Sequence, residues 1–211
     1  MMQRKNKYTV VFLGTDGSGK STIINEITPI IEKETGLKVR YEHMRPNYFP
    51  SLGVALGKRT KEEEMAYGPV VAPHATRPSG VVGSLFRLCY YLVDYTYGYF
   101  RKIYPSRDVV WIFDRYYYDL FIDQKRARLS MPQWIIDMLG KIVPDPDVII
   151  CLGGDPKVIF ERKPETNLDE VTRQMNALKQ LCKKKGNAHW IDTTTEVGTT
   201  VYAVLKAIRL R

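Results

Sequence analysis

GTDGSGKST, residues 14–22, decides the fold of this chain. Gly14, Gly19, Lys20 and Ser21 have the G-x-x-x-x-G-K-S spacing of a phosphate-binding loop. The run before it, YTVVFLG (8–14), is short, β-rich and apolar and ends in glycine, as a buried strand does. After it, Ile23, Ile24, Ile27, Ile30 and Ile31 recur at helical spacing to about residue 34, and Gly36 is a natural stop. Pro29 is expected to kink or shorten this helix. A strand, a glycine loop and a helix in this order let backbone N–H groups converge on phosphate oxygens at the positive end of the helix. The candidate nucleotide-binding residues are therefore Gly14, Thr15, Asp16, Gly17, Ser18, Gly19, Lys20, Ser21 and Thr22. Lys20 is expected to reach the terminal phosphates, and the Ser21 hydroxyl to ligate Mg²⁺. Asp16 is the odd member, an acid in a loop that attracts anions.

Further strands read at VRYEHM (39–44), VVWIFD (109–114), DVIICLGG (147–154) and HWIDTT (189–194). Helical patterns cover about 84–103, 131–143, 168–185 and 197–211. Another helix opens after Asp155, its expected N-cap, with Pro156 in first position. Uninterrupted apolar strands alternating with helices imply an α/β fold with a parallel five-stranded sheet between two helical layers. One domain over 1–211 is the economical reading. Residues 46–83, with many prolines and glycines and the charged cluster KRTKEEE, are expected to be loops with a short helix.

The 211 residues are 44% hydrophobic and 26% charged, with a formal charge of +9, a balance that suits anionic partners. The cysteines, Cys89, Cys151 and Cys182, form no CxxC pair, and the three histidines are scattered. Neither a disulfide framework nor a zinc site is expected, and a reduced, cytoplasmic setting fits. LFRLCYYLVDYTYGYF is too polar and too short to insert in a membrane. No nucleic-acid-binding motif stands out and the basic residues are spread along the chain, so nucleic acid is not the expected partner.

FDRYYYD (113–119) follows the most apolar strand. Ligands of open α/β sheets gather at the carboxyl ends of strands, so Asp114 is placed to meet Mg²⁺, its water shell or an acceptor phosphate. Arg115 is placed to bridge phosphates. With this run the chain resembles the thymidylate kinase-like family of P-loop nucleoside monophosphate kinases, as a divergent member. The motifs occur in order along nearly the whole chain. The loop resembles that family's GxDGxGKST form, which implies that Asp16 bonds a hydroxyl of the acceptor's sugar. HMRP (43–46) resembles the turn after the second strand, which implies that Arg45 grips the acceptor phosphate. FDRY resembles the DRY or DRH motif, which implies that Asp114, Arg115 and Tyr116 handle metal and phosphates. Gly17 follows Asp16 where some relatives carry a base, so by resemblance the compensating charge comes from a lid over about 155–175, from Arg162 beside Lys163. An acceptor-binding insertion over about 45–105 is implied, and so is a homodimer.

Two departures bear on specificity. By resemblance Tyr91 stands at the aromatic that stacks on the base, and Tyr95 at the arginine that bonds its edge, so thymidylate is expected to be a poor acceptor. The tyrosines of this stretch equally fit a packed core. DQKRARLS (123–130) crowds Lys125, Arg126 and Arg128 after the DRY run. It reads either as extra contacts to an acidic acceptor or as a solvated basic helix end. The implied activity is Mg²⁺-dependent transfer of the γ-phosphoryl of ATP to a small phosphorylated acceptor. A sugar or glycan precursor stays open as acceptor, and so does a nucleotide-dependent switch or ATPase that transfers to nothing.

Overall fold

A computed structural model of the chain describes residues 7–57, 60 and 80–208. The cluster KRTKEEE falls outside the described residues apart from Thr60. The rest groups into two compact units, one of Met1–Met44, Ser106–Tyr116 and Asp145–Arg211, the other of Arg45–Pro105 and Tyr117–Pro144.

The first unit holds a five-stranded sheet, all strands parallel, in the order β2-β3-β1-β4-β5. Its strands are β1 (Lys7–Leu13), β2 (Lys38–His43), β3 (Val109–Asp114), β4 (Val148–Gly153) and β5 (Ala188–Asp192). Both faces of β3 and β4 are buried, which explains their unbroken apolar sequences. The edge strand β2 is largely exposed and carries Lys38, Arg40 and Glu42, charges that discourage pairing with another sheet. On one face Val10, Phe12, Ile112 and Ile150 pack on Ile23, Ile27 and Ile31 of α1 (Lys20–Thr35) and on Val204 and Ile208 of α8 (Val197–Ile208). The amphipathic α7 (Leu168–Lys184) packs on β4 and β5 with Val171, Met175, Leu178 and Leu181 buried.

α1 runs through Pro29 to Thr35, so the proline does not shorten it. Pro29 and Asn25, whose carbonyl loses its amide partner, both lie on the exposed side, where water replaces the lost bond. α6 (Pro156–Arg162) begins as expected: Asp155 accepts a hydrogen bond from the Lys157 amide at 2.8 Å, and Pro156 follows.

The second unit is helical. It contains α2 (Leu52–Ala55), α3 (Val81–Val93), α4 (Asp119–Ile122) and α5 (Gln133–Gly140). The long aromatic helix is continuous, but beyond α3 it widens into a π-helical segment, Asp94–Ile103. Among the described residues no helix is long and apolar enough to cross a membrane.

Candidate functional site

The loop after β1 turns through two left-handed glycines, Gly17 (φ 81°) and Gly19 (φ 80°), the latter capping α1. Lys20 is buried, and its Nζ donates to the carbonyls of Gly14 (2.9 Å) and Thr15 (3.1 Å). The hydroxyls of Thr15 and Ser18 are buried without a hydrogen-bond partner. Ser21 and Thr22 are exposed on the first turn of α1.

Gly17 is fixed by more than its φ. A Cβ there would lie 2.5 Å from the Ile159 carbonyl oxygen of α6 and 3.3 Å from Lys163 Cβ. The loop thus carries no side chain beside Asp16 because the backbone of α6 occupies that space. Arg162 ends the same helix, and both Arg162 and Lys163 are exposed. Lys163 pairs with Glu165 at 3.0 Å.

β3 ends beside this loop, with Asp114 in register with Phe12 of β1 on one side and His43 of β2 on the other. The Arg115 amide donates to the Phe12 carbonyl at 2.8 Å, and Arg115 itself takes φ 73°. A left-handed arginine costs on the order of 1–3 kcal/mol, and such strain gathers at functional sites. It turns the guanidinium toward the loop, where Nη2 donates to Asp16 Oδ1 at 3.0 Å. Asp114 is buried. Its Oδ2 accepts from the Tyr41 hydroxyl at 3.2 Å, with His43 Nδ1 at 4.0 Å, and its Oδ1 has no hydrogen-bond partner. Burial pushes the Tyr41 phenol well above its ordinary pKa, and the Asp114 charge and the bond to it add to the rise. Tyr116 is buried and packs edge-on against Phe113, ring centroids 5.2 Å apart.

In the second unit Arg45 is the centre. Its Nη1 donates to Asp94 Oδ2 at 2.8 Å, and its guanidinium carbon lies 5.2 Å from the Tyr91 ring centroid and 6.0 Å from that of Tyr90. Asp94 Oδ1 also accepts from the backbone amides of Tyr48 (3.0 Å) and Phe49 (2.9 Å). Gly98 makes this approach possible, because a Cβ there would sit 2.9 Å from Tyr48 Cβ and 3.1 Å from Pro46 Cβ. Arg45 and Tyr91 are therefore together, whereas Tyr95 is buried edge-on against Tyr117, 5.7 Å between centroids. Arg126 lies 3.5 Å from Asp123 Oδ2 and 4.0 Å from Asp119 Oδ2, both carboxylates deeply buried.

The sequence reading missed Asp94, Tyr41 and His43. Asp94 had a signal, as the one acid inside the aromatic run YYLVDYTYGYF. An acid with no exit from an apolar helix requires a buried cation, and Arg45 is that cation.

No family model matches the chain, and no curated protein matches it in sequence. Among solved structures it is similar to the thymidylate kinase of Ehrlichia chaffeensis, with a TM-score of 0.63 at 18% identity, over 97% of this chain and 100% of that one. The chain thus has the thymidylate kinase-like fold, a parallel five-stranded sheet between helices.

Proposed function

We propose that this protein is a phosphotransferase that moves the γ-phosphoryl of ATP to a small phosphorylated acceptor. The observation that carries the reading is the juxtaposition at the ends of β1 and β3. There a loop with two left-handed glycines and a buried Lys20 faces a strained Arg115 tied to Asp16. The loop amides and Lys20 would bind the donor phosphates, Lys20 leaving the two carbonyls it now bonds. Arg115 would orient phosphate oxygens, and Asp16 would accept a hydrogen bond from an acceptor hydroxyl. Arg162 would neutralise charge that spreads over the transferring group, an effect worth roughly 10³-fold or more in related phosphoryl transfers. Arg45, backed by Asp94 and Tyr91, would hold the acceptor phosphate.

The residues present fit Mg²⁺. Asp114 offers a buried oxygen without a hydrogen-bond partner, and Ser21 an exposed hydroxyl, both hard oxygen donors. No three His, Cys, Asp or Glu side chains converge to hold a metal among the described residues, which suits an ion that keeps water and phosphate ligands. Bound there, Mg²⁺ would supply charge neutralisation at the phosphates.

The test is release of ADP across a panel of nucleoside monophosphates and sugar phosphates, with the wild type and Lys20→Met. Release should depend on one class of acceptor, with thymidylate used poorly because Tyr95 is packed on Tyr117. Lys20→Met should abolish transfer and leave the melting temperature within a few degrees. Acceptor-independent release would make the protein a switch or ATPase. Full activity of the variant would end the proposal.

A further inference from the structure

The basic run 123–130 holds three arginine or lysine residues on the second unit whose fates differ. Lys125 is exposed. Arg126 is balanced by Asp119 and Asp123. Arg128 is half-buried, with its Nε wholly shielded from solvent and without a hydrogen-bond partner, and it takes φ 56°. Its backbone is held there by a 2.8 Å bond from its amide to the Lys125 carbonyl. Two residues on, the Ser130 amide donates to the buried hydroxyl oxygen of Ser84 at 3.1 Å, which latches this loop to the first turn of α3.

One helical turn after Ser84, on the same face of α3, stands Arg87. Its Nε is likewise buried without a hydrogen-bond partner. Arg87 and Arg128 thus lie three and two residues from the two ends of this latch, each partly buried and neither balanced by a carboxylate among the described residues. An unmade hydrogen bond on a shielded charged group is costly. An oxyanion that accepts from both would remove both penalties, and the planar guanidinium is shaped to bind phosphate, sulfate or carboxylate in that way.

We propose that Arg87 and Arg128 form an anion clamp, and that the acceptor carries a second anionic group there, distinct from the phosphate that receives the phosphoryl group. Ser84, Arg87, Tyr91 and Asp94 follow one another at spacings of three, four and three along one face of the helix. Seven residues separate Arg87 from Asp94, the partner of Arg45, or about 10 Å of helix at 1.5 Å per residue. The acceptor class is therefore a compound with two anionic groups on the order of 10 Å apart, longer and more acidic than a nucleoside monophosphate with an uncharged base. This assignment of the acceptor rests on the kinase reading above, but the clamp itself does not.

The first experiment needs no turnover. With ADP saturating the phosphate loop of the full chain, the arginine Nε–H signals are followed by ¹H–¹⁵N NMR as inorganic phosphate is added. Arg87→Lys and Arg128→Lys assign the two signals. Both should move with a single binding curve, and Arg87→Gln or Arg128→Gln should weaken that curve about tenfold, the value of one charge-assisted hydrogen bond. Lys125→Gln should leave it unchanged. Signals that stay still, or that move with separate affinities, overturn the clamp. The second experiment uses the best acceptor of the panel. Inorganic phosphate should compete with it, and Arg128→Gln should raise its KM about tenfold with the KM for ATP unchanged. Binding of phosphate without competition overturns the acceptor assignment and makes the clamp a site for a separate anion. Failure to transfer to any acceptor of the panel, with the NMR result intact, would count against the kinase reading alone.

Discussion

Two buried arginine–aspartate pairs, one from each unit, are opposite in burial. In the first unit Arg115 and Asp16 lie 3.0 Å apart, with the arginine side chain 5% exposed and the acid 18%. In the second, Arg45 and Asp94 lie 2.8 Å apart, with the arginine 10% exposed and the acid 0%. The accessible member differs: the acid in one pair, the base in the other. The buried member has its remaining capacity committed to the fold. Arg115 is set by a strained backbone, and Asp94 accepts two further backbone amides. The less buried member is the one nearer to solvent, from which a ligand would arrive. On this logic Asp16 would present a carboxylate to a hydroxyl and Arg45 a guanidinium to a phosphate, the two roles proposed for them above.

The largest effect should come from breaking the pair whose acid is sealed in. Asp94→Ala leaves Arg45 without its counter-charge and the Tyr48 and Phe49 amides without an acceptor, in a place water does not reach. Removing one partner of a buried ion pair costs about 3–5 kcal/mol. Urea denaturation should show a loss of that size. A loss below about 1 kcal/mol would mean that Asp94 does not organise the unit, and the contrast between the pairs would fall.

How much of this was legible beforehand follows the range of the interactions. The strand–glycine loop–helix turn at 14–22, the apolar strands and the Asp155 cap were legible because each is set by neighbours within a few residues. Asp94 and Arg45 are 49 residues apart, and neither carries a local sign of the other. The fate of Tyr95 turned on Tyr117, which is distant in sequence, so spacing alone left it balanced between a base pocket and a core. Gly17 was legible as a missing base, but the reason for it, the Ile159 carbonyl of α6, is a tertiary contact. Pro29 did not shorten α1 for the converse reason: a local rule was overridden by exposure of the face on which it sits.

A middle-sized effect is expected at Gly17, which sets where Asp16 stands. Gly17→Ala places a methyl group 2.5 Å from the Ile159 carbonyl oxygen and forces a left-handed alanine. Left-handed backbone at a residue with a side chain costs roughly 1–2 kcal/mol before the clash is counted, so a stability loss of about 2 kcal/mol is expected, with weakened ADP binding by calorimetry. If Gly17→Ala binds ADP as the wild type does, the loop is not held by α6, and the argument that a base at this position is sterically excluded fails.

The smallest effect on stability should be at Asp16 itself, and it is the sharpest test of the comparison. Asp16→Asn keeps an oxygen that can accept from Arg115 Nη2, and the side chain is accessible enough for water to make up the difference. Stability should change by less than about 1 kcal/mol, as for a partly solvated pair. Turnover should not be spared in the same way. A hydrogen bond from an acceptor hydroxyl to a carboxylate contributes about 1.5–3 kcal/mol, so kcat/KM for the acceptor should fall roughly 10- to 100-fold, with ADP affinity unchanged. A variant that is strongly destabilised yet transfers normally once folded would reverse the assignment. Asp16 would then be the structural member of its pair, and burial would no longer distinguish the residue that positions from the residue that presents.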